Sequence, residues 1–227
     1  MKPMLLKETD NPRKYINSTD WVMQRKVDGR RLMVECGPKP RFFNRTGDPI
    51  DCPIDPKMFT DERVAGWTLD GEAKLDSFFV FDGFTDPTEG FVSRFRKVER
   101  LLDMFGYMWL EYPIHALEFE DDPYGKQRWF DEMRELNYEG VVFRKKNAPY
   151  RPNRSSAALK FKFTKTVDCI VLEVNTNPQN LVLGMLKGDK LVEVGKVSSL
   201  TGDGPKCKAG DVVEVKFLYV SSGGRLY

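Results

Sequence analysis

Histidine is almost missing from this 227-residue chain; His115 is the only one. A Ser–His–Asp or Cys–His mechanism, or a histidine-based metal site, would have to rest on that single side chain. It sits in an apolar, strand-like run and reads as a structural residue. Cysteine is scarce as well. Cys36, Cys52, Cys169 and Cys207 lie far apart, with no C-x-x-C pair. That spacing argues against a zinc site and against a disulfide framework. No apolar run approaches the roughly 18 residues of a membrane span. The start, Met1-Lys2-Pro3-Met4-Leu5-Leu6-Lys7-Glu8, has no secretory hydrophobic stretch, so an intracellular, cytoplasmic location is expected. Internal repeats, low-complexity segments and coiled-coil heptads are also absent, which leaves a monomer as the expectation.

What is present is enough to build a core. Hydrophobic residues make up 41% of the chain, with 16 Phe, 8 Tyr and 4 Trp. The length suits one large domain or one domain plus a small partner. A net charge of +2 hides an uneven distribution. From Arg144 to Lys165 there are eight basic residues and no acidic one. Such a block is either a solvated face or an anion-binding surface for nucleic acid or nucleotide phosphate.

Two segments carry helical periodicity. In the first, Phe91, Phe95, Val98, Leu102 and Phe105 recur at four-three spacing. In the second, Trp129, Phe130, Met133 and Leu136 form one stripe within 125–137. Both stripes read as core faces. Residues 20–27 and 31–35 read as two strands of a hairpin around Asp28-Gly29, a dipeptide that favours tight turns. Further strands are expected at 40–45, 67–74, 78–84, 139–144 and 158–163, and Ala148–Ser156 reads as a proline-stiffened loop. Strands and helices alternate without a βαβ rhythm, which predicts an α+β fold. After Lys165 strand follows strand (167–174, 181–187, 190–197, 211–220), the pattern of a small β-barrel. The expected domains are therefore 1–164 and 165–227.

The first chemical motif is Lys26-Val27-Asp28-Gly29-Arg30-Arg31. A lysine can attack only as the neutral amine, and neighbouring cations favour that form. By itself the motif is equally a turn with solvated charges. Further on come Leu69-Asp70-Gly71-Glu72, then Phe79-Val80-Phe81-Asp82, then Glu139-Gly140-Val141-Val142-Phe143-Arg144, and finally Lys160-Phe161-Lys162. In a strand, residues i and i+2 share a side, so Lys160 and Lys162 can converge on one phosphate with Phe161 turned inward.

This ordered set resembles motifs I, III, IIIa, IV and V of the ATP-dependent DNA ligases, of the small phage or bacterial type. Asn44-Arg45-Thr46-Gly47 is similar to the intervening motif Ia. The resemblance runs from about residue 4 to the end. It implies an adenylation (nucleotidyltransferase, ATP-grasp-like) domain of antiparallel sheets flanked by helices, followed by an OB-fold barrel. It also implies nick sealing in duplex DNA, in replication and repair, through a lysyl-AMP and a DNA-adenylate. ATP and Mg²⁺, or Mn²⁺, would be the cofactors.

Residue by residue, the resemblance makes Lys26 the nucleophile. Gln24 and Arg25 would lie near the adenine, with Phe81 stacked on it, and Val27 would belong to the nucleotide site. Arg31 would face the sugar and phosphates and Glu72 the ribose, while Lys160 and Lys162 would converge on one phosphate of the nucleotide. Glu139 and Glu72 are the expected metal residues. Arg45 would meet phosphate or DNA, and Arg94, Arg151 and Arg154 the DNA backbone. The family's OB domain ends in a motif VI that is not found before Tyr227, so the chain is expected to lack it. Two rival readings share the motif I lysine or the basic surface. One is an RNA ligase or a GTP-using capping guanylyltransferase; the other is a degenerate nucleic-acid-binding module.

Overall fold

The computed structural model describes residues 1–105, 114–176, 179–198 and 207–227. The chain divides into two units, Met1–Phe161 and Lys162–Tyr227. The first unit runs through β1 (Met4–Glu8), α1 (Arg13–Ile16), β2 (Trp21–Arg25), β3 (Arg30–Glu35), β4 (Arg41–Phe43), β5 (Thr68–Lys74), β6 (Ser77–Phe84), α2 (Phe91–Asp103), β7 (Ile114–Ala116), β8 (Phe119–Glu120), α3 (Pro123–Glu135), β9 (Gly140–Lys145) and β10 (Asn153–Lys162). Its strands form two five-stranded sheets, in the orders β1-β10-β9-β2-β8 and β4-β3-β5-β6-β7. The α+β expectation holds. β2 pairs antiparallel with β8 and β9, and β3–β4, β3–β5 and β5–β6 are antiparallel, while β1 runs parallel to β10 and β6 parallel to β7.

Helix α2 behaves as its periodicity predicts. Phe91, Phe95, Val98 and Leu102 are buried, and Phe105 is buried just beyond its end. Val98 and Leu102 join Leu69, Phe78, Val80 and Phe59 in one apolar cluster. Helix α3 starts with Asp122, whose Oδ2 accepts the N–H of Gly125 at 2.8 Å, and has Pro123 in its first turn. Both features are standard start signals. Its stripe is only partly a core face. Phe130 and Met133 are buried, but Leu136 caps the helix and is 61% exposed.

Two local expectations are corrected. The Asp28-Gly29 dipeptide does not close a hairpin. β2 and β3 lie in different sheets, and residues 26–29 carry the chain from one to the other. Glycine is needed there for a different reason: a Cβ on Gly29 would stand 2.6 Å from the Ala73 carbonyl oxygen and 2.9 Å from Glu72 Cγ. The segment 148–156 is not all loop either, because β10 begins at Asn153, where the strand pairs with Met4.

The second unit consists of β11 (Lys165–Thr176), β12 (Gln179–Lys187), β13 (Lys190–Ser198) and β14 (Val212–Phe217), an antiparallel sheet in the order β13-β12-β11-β14. Its core is Cys169, Val171, Leu181, Leu183, Val194 and Val215. All four cysteines are free. Among the described residues no helix is long and apolar enough to cross a membrane.

One buried cation pins the start of the first unit. Lys126, on α3, is fully buried, and its Nζ donates to the carbonyls of Tyr15 (3.2 Å), Ser18 (2.5 Å) and Trp21 (2.7 Å). Lys126→Met should keep the apolar stem but strand those carbonyls. We expect a loss of about 2–4 kcal/mol in unfolding free energy, read by urea denaturation.

Candidate functional site

The chain reaches the site along β2. The register of β2 against β9 pairs Arg25 with Val141, so Lys26 lies opposite Gly140 and donates its backbone N–H to that carbonyl at 2.9 Å. Glu139 immediately precedes, and Lys26 Nζ meets Glu139 Oε2 at 2.5 Å. Sheet register thus brings together two residues 113 positions apart. Both are largely sheltered, with side-chain exposures of 19% and 9%.

The other wall comes from the second sheet, where Arg31 on β3 is directly across from Glu72 on β5. Asp70, two residues earlier on β5, is fully buried and grips Arg31 with both oxygens, at 2.6 Å to Nε and 2.7 Å to a terminal nitrogen. That same terminal nitrogen donates to the Met4 carbonyl at 2.9 Å. Tyr150 completes the brace: its hydroxyl donates to Asp70 Oδ2 at 2.6 Å and accepts the Met4 N–H at 2.9 Å. Arg31 is therefore held rigidly, and β1 is tied to the site.

A narrow cleft of about 40 Å³ is lined by Gln24, Arg25, Lys26, Val27, Arg31, Glu72 and Phe81, together with Leu6, Leu117, Val142 and Arg144. Seven residues singled out from the sequence thus line one cleft. Phe81 is nearly buried, with the guanidiniums of Arg31 and Arg144 over its ring at 4.5 and 4.8 Å. Both cations therefore stand beside the ring that the resemblance assigns to base stacking. A hollow of about 400 Å³ shares Arg25 and Leu117 with the cleft and is lined by Phe79, His115, Trp129 and Tyr138 among others.

Gln24 does not offer its amide to the cleft. Its Nε2 donates to the carbonyls of Phe81 (3.3 Å) and Leu117 (2.9 Å), and its Oε1 accepts Arg144 Nε at 2.7 Å. It ties the walls together and acts as a positioning group.

Arg94 requires a correction. It does not face solvent or DNA; it is 1% exposed and forms a two-pronged pair with buried Asp82, at 3.0 and 2.9 Å. It also donates to the carbonyls of Glu89 and Ala148. A buried carboxylate without a cation is costly, and Arg94 neutralises Asp82. Among the DNA candidates, Arg45, Arg151 and Arg154 are exposed. Lys160 lies outside the cleft lining, 3.7 Å from Glu8. Lys162 closes β10 as the first residue of the second unit. His115 is exposed, with its ring 5.4 Å from that of Phe79.

The site's least ordinary acid is Glu72. Burial pushes its carboxyl up to about 7, against the pull of Arg31 and Lys26, and with Asp70 and Glu139 adding repulsion. Among the described residues no group of three or more His, Cys, Asp or Glu side chains could hold a metal. Glu72 lines the cleft with Lys26, and Glu139 is paired with the Lys26 amine; these are the two carboxylates expected to meet a metal. Two carboxylates suit a magnesium ion that keeps several waters or takes phosphate oxygens.

Residues that single motifs did not point to are Asp70, Asp82, Tyr150 and Arg144. Each lies within or next to a motif that was noticed, but a role as brace or partner is set by contacts across strands.

No family model matches the chain. A curated DNA ligase of Haemophilus influenzae is 29% identical over 175 residues, spanning 67% of this chain and 61% of that protein. The chain therefore matches less than two thirds of the length of that curated relative. A solved Lig E DNA ligase, described as binding DNA with a minimal scaffold, superposes with a TM-score of 0.72 at 18% identity, covering 100% of this chain and 96% of that one. The ATP-dependent DNA ligase of bacteriophage T7, solved in complex with ATP, gives 0.57 at 14% identity, covering 99% and 96%. The fold is thus that of ATP-dependent DNA ligases: an α+β domain followed by a small antiparallel β domain.

The Glu72 shift has a thermodynamic consequence. An acid that holds its proton more tightly when folded makes stability fall as pH rises from about 4.5 through about 7. Glu72→Gln cannot titrate. Urea titrations across that range should show wild type losing stability relative to Glu72→Gln as pH rises. A constant difference would mean that Glu72 does not carry the shift.

Proposed function

We propose that this chain is an ATP-dependent DNA ligase that seals nicks in duplex DNA. The carrying observation is the meeting of Lys26, Arg31, Glu72 and Phe81 in one cleft, with Glu139 against the Lys26 amine. The ligase fold supports the same reading.

The reaction is a series of in-line displacements at phosphorus, so the protein's task is positioning and charge neutralisation. Lys26 Nζ attacks the α-phosphorus of ATP. The N–P bond forms, the bond to the bridging oxygen breaks, and pyrophosphate leaves. The amine must first lose a proton and its ion pair, and Glu139 Oε2, 2.5 Å away, is within reach to accept that proton. A 5′-phosphate oxygen at the nick then takes the adenylyl group from Lys26, and the nitrogen recovers a proton. The 3′-hydroxyl finally attacks that 5′-phosphorus and AMP departs.

Arg31, held by Asp70, has its second terminal nitrogen uncommitted among the described residues and is suited to a ribose or phosphate oxygen. Lys160 and Lys162 are the cations assigned to a phosphate of the nucleotide. Glu72 and Glu139 would hold Mg²⁺, or Mn²⁺ in its place. When bound, that ion would offset phosphate charge. Exposed Arg45, Arg151 and Arg154 are assigned to the DNA backbone, and the second unit to an OB-type nucleic-acid surface.

Incubation with α-labelled ATP or GTP and divalent metal, followed by a denaturing gel, tests the first step. Label from ATP alone, absent in Lys26→Ala, is the expected result. Label from GTP alone would make the protein a guanylyltransferase. Neither label nor sealing of a pre-adenylated nick would overturn the ligase reading in favour of a binding module.

The arginine assignments have their own signature. Arg151→Ala and Arg154→Ala should weaken nicked-duplex binding to a similar degree for every sequence. Each should lower the slope of log K against log salt by about 1, measured by fluorescence anisotropy. An unchanged slope would remove them from the interface.

A further inference from the structure

One charged group in the cleft has no task in the reaction just described. Arg144, on β9, is 5% exposed and lines the cleft. Its Nε donates to Gln24 Oε1 at 2.7 Å, the one hydrogen bond it makes among the described residues. Asp82 Oδ2 stands 3.9 Å from a terminal nitrogen, an ion pair beyond hydrogen-bond reach. Both Asp82 oxygens are already engaged by Arg94.

Other buried cations nearby are fully served. Lys126 has three carbonyls, and Arg94 has Asp82 and two carbonyls. No fully buried side-chain nitrogen or oxygen among the described residues lacks a partner. The terminal nitrogens of Arg144, which make no hydrogen bond, therefore keep contact with open space, and the space that Arg144 lines is the cleft. Arg144 is also the looser of the two guanidiniums over Phe81, since Arg31 is held by three hydrogen bonds.

The surroundings indicate what these donors meet. Gln24, Phe81, Leu117 and Val142 line the cleft with Arg144, and they are apolar or already hydrogen-bonded. Phosphate-seeking groups, Lys26 and Arg31, have their own partners in Glu139 and Asp70. The Gln24 side chain has both amide hydrogens committed to Phe81 and Leu117, so it has no hydrogen left to donate to a base.

We infer that Arg144 reads the base: its terminal N–H groups donate to a ring nitrogen of adenine bound against Phe81, while its Nε remains on Gln24. This inference rests on the nucleotide reading of the cleft and deepens it. It makes Arg144 a specificity-determining residue and Gln24 the strut that aims it. An arginine fork also fits the O6 and N7 of guanine, so the comparison must include GTP.

The test is equilibrium binding by calorimetry, with chelator present so that no chemistry occurs. The probes are ATP, GTP, and the 1-deaza, 3-deaza and 7-deaza analogues of ATP, each of which replaces one ring nitrogen with C–H. Wild type should bind ATP more tightly than GTP. It should lose about tenfold or more in affinity for one of the three analogues, the size of a hydrogen bond from a charged donor. Arg144→Met should bind ATP more weakly by a similar factor and should no longer distinguish that analogue from ATP. Arg144→Lys, which keeps a charged donor, should retain part of the discrimination. If Arg144→Met does not fold by circular dichroism, the Arg144→Lys comparison decides alone. Equal binding of all three analogues by wild type, a wild-type ranking in Arg144→Met, or tighter binding of GTP would overturn the inference. Failure of the underlying reading looks different: wild type then binds no nucleotide and Lys26 takes no label.

Discussion

The site depends on one close passage of backbone. At residues 26–29 the chain leaves one sheet of the first unit and enters the other. Gly29 crosses so near β5 that a side chain would collide with the Ala73 carbonyl and with Glu72. Because nothing projects from Gly29, Lys26 at the end of β2 and Glu72 on β5 come to share a cleft. The sheets supply the two walls, and the crossing brings Lys26, paired with Glu139, into the cleft that Glu72 lines.

Around that crossing the protein buries charge and satisfies it almost completely. Asp70 grips Arg31, Asp82 grips Arg94, and Gln24 links Arg144 to the carbonyls of Phe81 and Leu117. Buried ion pairs of this kind contribute little net stability against an apolar alternative. Their value here is positional, since a guanidinium held by two or three directional bonds cannot drift. Glu72 is the exception. Its burial is only partly offset by neighbouring cations, which is why its carboxyl titrates near 7. That leaves a half-buried carboxyl group in the same cleft as Lys26 whose charge responds to pH and to any cation that arrives.

Much of the fold could be read from residue order. The α2 stripe, the N-terminal signals of α3 and most strands follow from local periodicity and capping, which act over a few residues. The errors share one cause. Asp28-Gly29 has the composition of a hairpin turn, and its use as a crossing follows from a β5 strand some forty residues away. Arg94 looks like any exposed helix arginine until Asp82 is found beneath it. Leu136 fits the apolar stripe of α3, but nothing covers it at the helix end.

The sequence by itself determined the α+β class, the succession of elements and the motifs from Lys26 to Lys162, because each is written in short-range patterns of residue type. The order of those motifs also pointed to seven of the eleven side chains that line the cleft. Only the tertiary structure decided which of those chains are free to act and which are braces. Gln24 and Arg94 carry polar groups suited to substrate but are spent on Phe81, Leu117 and Asp82, whereas Arg144 keeps donors to spare. The physical reason is that hydrogen-bonding capacity is finite, and its allocation depends on partners that only folding brings within 3 Å or so.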